Sequence, residues 1–192
     1  MKNLILASSS PRRLELLSAF DFSIKVIKPD SDENVDPALT PQEVVISLAL
    51  LKATSVAHIV GTETPLLSAD TIVVLDNEII NKPSDKDDAI NMITKLSGRT
   101  HSVFTGVAIF FNDKVDTFFV KSDVTFKKLS IKEISDYCDT DEPYDKAGAY
   151  AVQGIGSFMV KSINGSYSNV IGLPVSEVIE HFQSLGIIEG IK

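Results

Sequence analysis

The chain has 192 residues, 44% apolar and 23% charged, and a net charge of −8 from 26 acidic and 18 basic side chains. That length and balance suit a globular protein with a buried core and exclude a collagen-like or disordered chain, while Cys138, the single cysteine, excludes an intramolecular disulfide. A uniformly acidic surface repels nucleic acid and anionic membranes, so a small phosphorylated ligand requires basic side chains concentrated at one place.

In chain order, Asn3–Ala7 reads as a short buried strand that runs into Ser8-Ser9-Ser10-Pro11. Its apolar stretch is too short for a secretory h-region. No window approaches the roughly 20 apolar residues that span a bilayer, so a cytoplasmic protein is expected. Ser10 suits an N-cap and Pro11 the first helical position, with Leu14, Leu16, Leu17 and Phe20 giving the helix an apolar side. A strand is predicted at Phe22–Ile27, then a polar loop over Lys28–Pro41 that contains Glu33. Thr40-Pro41-Gln42-Glu43 has capping-box spacing and starts a helix to about Ala57, with Lys52 near its middle.

Leu66–Leu75 is strand-like, and Asp76-Asn77 predicts a tight turn into Glu78–Asn81. A helix begins in Ser84-Asp85-Lys86-Asp87 and ends at Gly98. His101–Leu129 reads as a long hairpin turning at Asn112-Asp113. Ser130-Ile131-Lys132-Glu133 is a second capping box, opening a helix through Cys138. Gly156–Ile163 reads as a strand and Pro174–Leu185 as a final helix before Gly186. Strands alternate with helices but hairpins intervene, which predicts a mixed α/β sheet, with no linker dividing the chain.

Four places could carry chemistry. At Ser8–Arg13 a helix N-terminus offers backbone N–H groups, three hydroxyls and two guanidinium forks; adjacent cations are unfavourable in a first helical turn and therefore point to an anion. Asp70, flanked by Leu66, Leu67, Ile72 and Val73, needs an ion pair, a metal or backbone donors if buried. Glu33, Lys52 and Lys82, taken singly, read as solvated, structural side chains rather than catalytic ones. Tyr144–Gly154 is rich in small residues, and the Gln153 amide carries the donor and acceptor needed to read a nucleobase edge. His58, His101 and His181 lack zinc-site spacing, His101 fits a place packed on a strand, and neither a GxxxxGK[ST] loop nor a GxGxxG fingerprint occurs.

Taken together, Leu6–Arg13, Asp32-Glu33, Ser68–Val73, Lys82-Pro83, Leu96–His101, Asp145–Gly154, Asn164–Tyr167 and Val170–Pro174 resemble the Maf-like nucleotide pyrophosphatases, in the family's order and from about residue 4 to residue 175. The resemblance implies a mixed, largely antiparallel elongated sheet flanked by helices, with two lobes around a central cleft, in a single domain over residues 1–192. It further implies hydrolysis of a nucleoside triphosphate between the α and β phosphates, dependence on Mg²⁺ or Mn²⁺, and a homodimer. By position, Asp70 becomes the general base and shares metal binding with Glu33. Ser8, Arg13, Lys52 and Lys82 hold the phosphate chain, and Arg12, Thr71 and Gln153 take the positions associated with base choice.

Those identities are similar to the branch acting on dTTP and UTP rather than 7-methyl-GTP, with modified pyrimidine nucleotides as further substrates. A pyrophosphatase for modified purines such as ITP, and a nucleotide-binding regulator of cell division with little turnover, are the alternatives. Asn81 departs from the acidic residue or glycine expected before Lys82-Pro83.

Overall fold

The strand β1 (Lys2–Ala7) is the first element of a computed structural model that describes residues 1–31, 34 and 36–191. It is followed by α1 (Pro11–Leu17), β2 (Phe22–Ile27), α2 (Pro41–Val60), β3 (Leu66–Leu75), β4 (Glu78–Ile80), α3 (Lys86–Leu96), β5 (Thr100–Phe111) and β6 (Lys114–Phe126). Then come α4 (Ile131–Cys138), β7 (Val160–Asn164), α5 (Tyr167–Ile171) and α6 (Val175–Ser184). The strand order is β2-β1-β3-β5-β6-β7, with β4 on β3. β1 runs parallel to both β2 and β3, whereas the β3/β4 and β6/β7 pairs are antiparallel. The sheet is therefore mixed and flanked by helices, as the alternation of strands, helices and hairpins predicts.

Local chemistry accounts for most boundaries. Thr40 and Glu43 cap α2 reciprocally, and Ser130 and Glu133 do the same for α4. Asp76 and Asn77 take φ of 51° and 67°, and Asn112 and Asp113 take 49° and 61°. Paired left-handed residues of this kind make the tight hairpin turn that Asn and Asp tolerate best.

The chain divides into two compact units. The first comprises Met1–Asp70, Thr105–Val120 and Gly172–Lys192. Here both faces of the strands are buried, which explains why Leu4–Ala7 is continuously apolar. Leu4, Leu6, Leu67, Ala69, Val107 and Ile109 face Leu17 of α1 and Val178, Ile179 and Phe182 of α6. Ile5, Ala7, Leu66, Ala108 and Phe110 face Ala49, Ala53 and Val56 of α2. The small side chains of α2 let its backbone approach the strands closely.

α2 also corrects one expectation. At 20 residues it is long and apolar enough to cross a membrane by length and composition. Ser47, Lys52, Thr54, Ser55 and His58 interrupt its apolar run, yet its mean hydropathy remains 1.6. Its buried stripe belongs to the core of the first unit, as expected of a core helix.

The second unit comprises Thr71–Phe104 and Lys121–Ile171. Helices α3 and α4 pack together within it, and Ile93, Leu96, Phe126, Ile134, Tyr137, Tyr150 and Met159 are buried there. The predicted strand from Gly156 starts later, at Val160, after a 3-10 turn over Ile155–Met159. The amides of Ile155 and Gly156 donate to the Glu142 carboxylate and are thereby withdrawn from a strand ladder.

His101 does pack on a strand. It is 2% exposed on β5, in edge-on contact with Phe126 and Tyr150, and its Nε2 lies 2.7 Å from the Tyr150 hydroxyl. Burial lowers its pKa from the usual 6.5 to about 4, outweighing the opposite pull of Asp123. The unfolded chain takes up this proton near the usual value, whereas the folded chain resists it. Stability is therefore full above about pH 6.5 and drains away as the pH falls towards about 4, by about 3 kcal/mol at most. Urea unfolding between pH 7 and pH 4 should show a shallower loss in His101→Gln than in the parent; parallel losses would contradict this origin.

Candidate active site

β1 ends at Ala7, and Ser8 turns the chain, its amide donating to the Leu6 and Ile27 carbonyls at 3.1 Å each. Ser8 is 2% exposed. Its Oγ accepts from the Ser10 amide at 3.0 Å and from Arg13 Nη1 at 3.4 Å. Ser10 is the N-cap residue of α1 but makes no side-chain cap bond, so Ser8 supplies the hydroxyl that organises this turn. Pro11 occupies the first helical turn, and the first turn of α1 carries no acidic residue.

Arg13 is buried, and its Nε donates to the Gly172 carbonyl at 2.7 Å. That bond fixes the plane of a guanidinium that carries five N–H donors in a rigid fork. Arg12, one residue earlier, is half-buried.

Asp70 lies in the same unit. Ala7 pairs with Ser68 at the last register position of the parallel β1/β3 pair, so Asp70 stands two residues beyond the end of that ladder. Strand alternation turns Leu66, Ser68 and Asp70 towards α2. Ser68 Oγ donates to the Ala49 carbonyl at 2.6 Å. Less than one helical turn further along α2, Lys52 Nζ meets Asp70 Oδ1 at 2.5 Å, with both side chains largely enclosed at 11% and 12% exposure. The buried carboxylate thus has the ion pair that its apolar flanks require. The serine-rich loop follows the carboxyl end of β1, the usual place for a ligand beside parallel strands, and Asp70 lies within β3 just past the last β1 pairing.

Thr71, Lys82 and Gln153 belong to the second unit. Thr71 and Gln153 are half-buried and Lys82 is exposed. The segment carrying Lys82 is tied by the Asn81 carbonyl, which accepts from the Gly148 amide at 3.0 Å. This tie uses only backbone at Asn81, so the side-chain departure there leaves it intact. Glu33 lies outside the described residues.

The structure therefore joins Ser8 to Arg13 and Lys52 to Asp70 in the first unit, and the Lys82 segment to the Gly148 turn in the second. It adds two groups that sequence reasoning gives no role: the Gly172 carbonyl that orients Arg13, and the Glu142 carboxylate in the turn after Gln153. Gly172 sits inside the Val170–Pro174 motif, which was a usable signal; Glu142 had only its position before Pro143.

A divalent cation is compatible with these side chains. Among the described residues no group of three or more His, Cys, Asp and Glu side chains converges, so a protein-only cage is not formed by them. Mg²⁺ is commonly held by one or two carboxylates together with substrate phosphates, and Asp70 can supply one of these.

The family model for Maf-like proteins matches residues 3–185. A dTTP/UTP pyrophosphatase of Bacillus cereus (strain G9842) is 42% identical over 187 residues, covering 97% of each chain. One of Bacillus anthracis (strain CDC 684 / NRRL 3495) is 43% identical with the same coverage. Among solved structures, the Ham1 protein of Staphylococcus aureus is similar in fold, with a TM-score of 0.58 at 14% identity, over 98% of this chain and 100% of that one.

Proposed function

Because the chain belongs to the Maf-like family, we propose that it is a nucleoside triphosphate pyrophosphatase, hydrolysing dTTP and UTP to the monophosphate and pyrophosphate. The observation that carries the substrate class is the 42% identity to a dTTP/UTP pyrophosphatase along almost the whole of both chains. The enclosed Lys52–Asp70 pair, beyond the strand end that leads into the Ser8–Arg13 loop, supports the chemistry.

A triphosphate resists hydrolysis because its own negative charge repels a nucleophile. Arg13, with its fork fixed by Gly172 and its Nη1 on Ser8, is suited to grip phosphate oxygens bidentately. Asp70 accepts the proton of the attacking water. Lys52 orients that carboxylate and adds positive charge beside the phosphates. Lys82 adds a further charge to the phosphate chain, and Arg12, Thr71 and Gln153 select the base. Mg²⁺ or Mn²⁺, held by Asp70 with Glu33 and the phosphates, would neutralise charge on the substrate. A cytoplasmic setting fits the free thiol of Cys138.

Initial rates across dTTP, UTP, dCTP, CTP, GTP and ITP with Mg²⁺ test the substrate assignment. The expected order puts dTTP and UTP first. A preference for ITP would replace the pyrimidine reading with modified-purine cleavage, and binding without turnover would replace it with a regulatory role.

A further inference from the structure

We infer that Glu142 is a positioning residue for base selection, acting through the turn that follows Gln153. The inference rests on the reading of Gln153 as a base-selecting side chain, and all the groups involved lie in the second unit.

The Glu142 carboxylate is wrapped by backbone. Oε2 accepts from the Ile155 amide at 2.9 Å, and Oε1 accepts from the Gly156 amide at 2.7 Å and from the Tyr137 hydroxyl at 3.1 Å. Burial, reinforced by the Glu142 charge, pushes the Tyr137 hydroxyl pKa well upward, so it stays a donor. The other end of the residue is held as well, since Lys146 Nζ donates to the Glu142 carbonyl at 2.6 Å.

The turn is shaped around this anion. Gly154, next to Gln153, has φ of 78°, and a Cβ there would come within 2.4 Å of Glu142 Oε2. A Cβ on Gly156 would meet the Ala151 carbonyl oxygen at 2.5 Å. Successive amides turned onto a carboxylate make a concave anion seat, here filled by the protein's own side chain. Gln153 is therefore followed at once by residues whose conformation depends on one charge. An amide can read a base edge only if its carbonyl and NH₂ ends are held in a fixed sense.

Replacing the carboxylate by a carboxamide tests this. Glu142→Gln keeps the shape but turns an NH₂ towards a backbone N–H donor, which cannot bond to it. The ratio of kcat/KM for dTTP to that for ITP should fall about tenfold, through KM more than kcat, because charged hydrogen bonds at the turn are lost. Gln153→Ala should lower the same ratio, and the double variant should fall no further than Gln153→Ala alone.

If Gln153→Ala lowers the ratio while Glu142→Gln reduces kcat/KM for both nucleotides alike, the turn is merely structural and the inference is overturned. An unchanged ratio in Gln153→Ala overturns the base reading itself, and the role of Glu142 with it. Should Glu142→Gln fail to fold, Tyr137→Phe removes one donor to the same carboxylate. It should shift the ratio in the same direction by a smaller factor, and an unchanged ratio would then overturn the inference.

Discussion

Asp70→Asn is expected to lower kcat for dTTP by about 10²- to 10⁴-fold, the usual worth of a positioned general base, with a much smaller change in KM. The substitution preserves volume in a site where the side chain is 12% exposed, so it removes basicity without opening a cavity. It also leaves the Lys52 ammonium facing an amide instead of its counter-ion. Breaking an enclosed pair in this way costs stability as well as chemistry, so circular dichroism and a melting curve must accompany the kinetics. A folded Asp70→Asn protein with kcat within tenfold of the parent would remove Asp70 from the role of base.

Gly106→Ala is expected to be among the most damaging single-methyl changes in the first unit. A Cβ at Gly106 would lie 2.3 Å from both the carbonyl carbon and oxygen of Val45, and 2.7 Å from the Ile46 amide nitrogen. These are backbone atoms of α2, so no rotamer change relieves the clash and the helix itself must move away from β5. Overpacking of a tight core commonly costs about 1–3 kcal/mol, and more when backbone shifts. For a chain of this size about 3 kcal/mol corresponds to a fall in Tm of about 6–12 °C. Because α2 carries Lys52 to Asp70, activity should fall with stability. A Tm within about 2 °C of the parent would show that α2 has room the structure does not show.

Local signals carried much of the fold. Two capping boxes and two paired-Asn/Asp turns each depend on residues three or fewer apart, and each marks its element boundary. The Ser8–Arg13 loop was legible for the same reason, since its hydroxyl, proline and arginines are neighbours in the chain. Asp70 stood out because a carboxylate among Leu, Ile and Val needs a partner, but nothing in the spacing named Lys52, 18 residues away. The Gly172 carbonyl, 159 residues from Arg13, is a backbone group and leaves no compositional trace. The late start of β7 was hidden similarly, because a distant carboxylate takes the amides that a strand ladder would use. The membrane-length character of α2 shows in its mean hydropathy of 1.6, not in an unbroken apolar run, because Ser, Thr, Lys52 and His58 punctuate it.

The most direct measurement of the central claim is phosphorus NMR of the products formed from dTTP and Mg²⁺ by the purified protein. Cleavage between the α and β phosphates predicts dTMP and pyrophosphate in equal amounts, formed about 10²- to 10⁴-fold more slowly by the Asp70→Asn protein. Release of orthophosphate with dTDP, or dTTP left intact, would contradict the account.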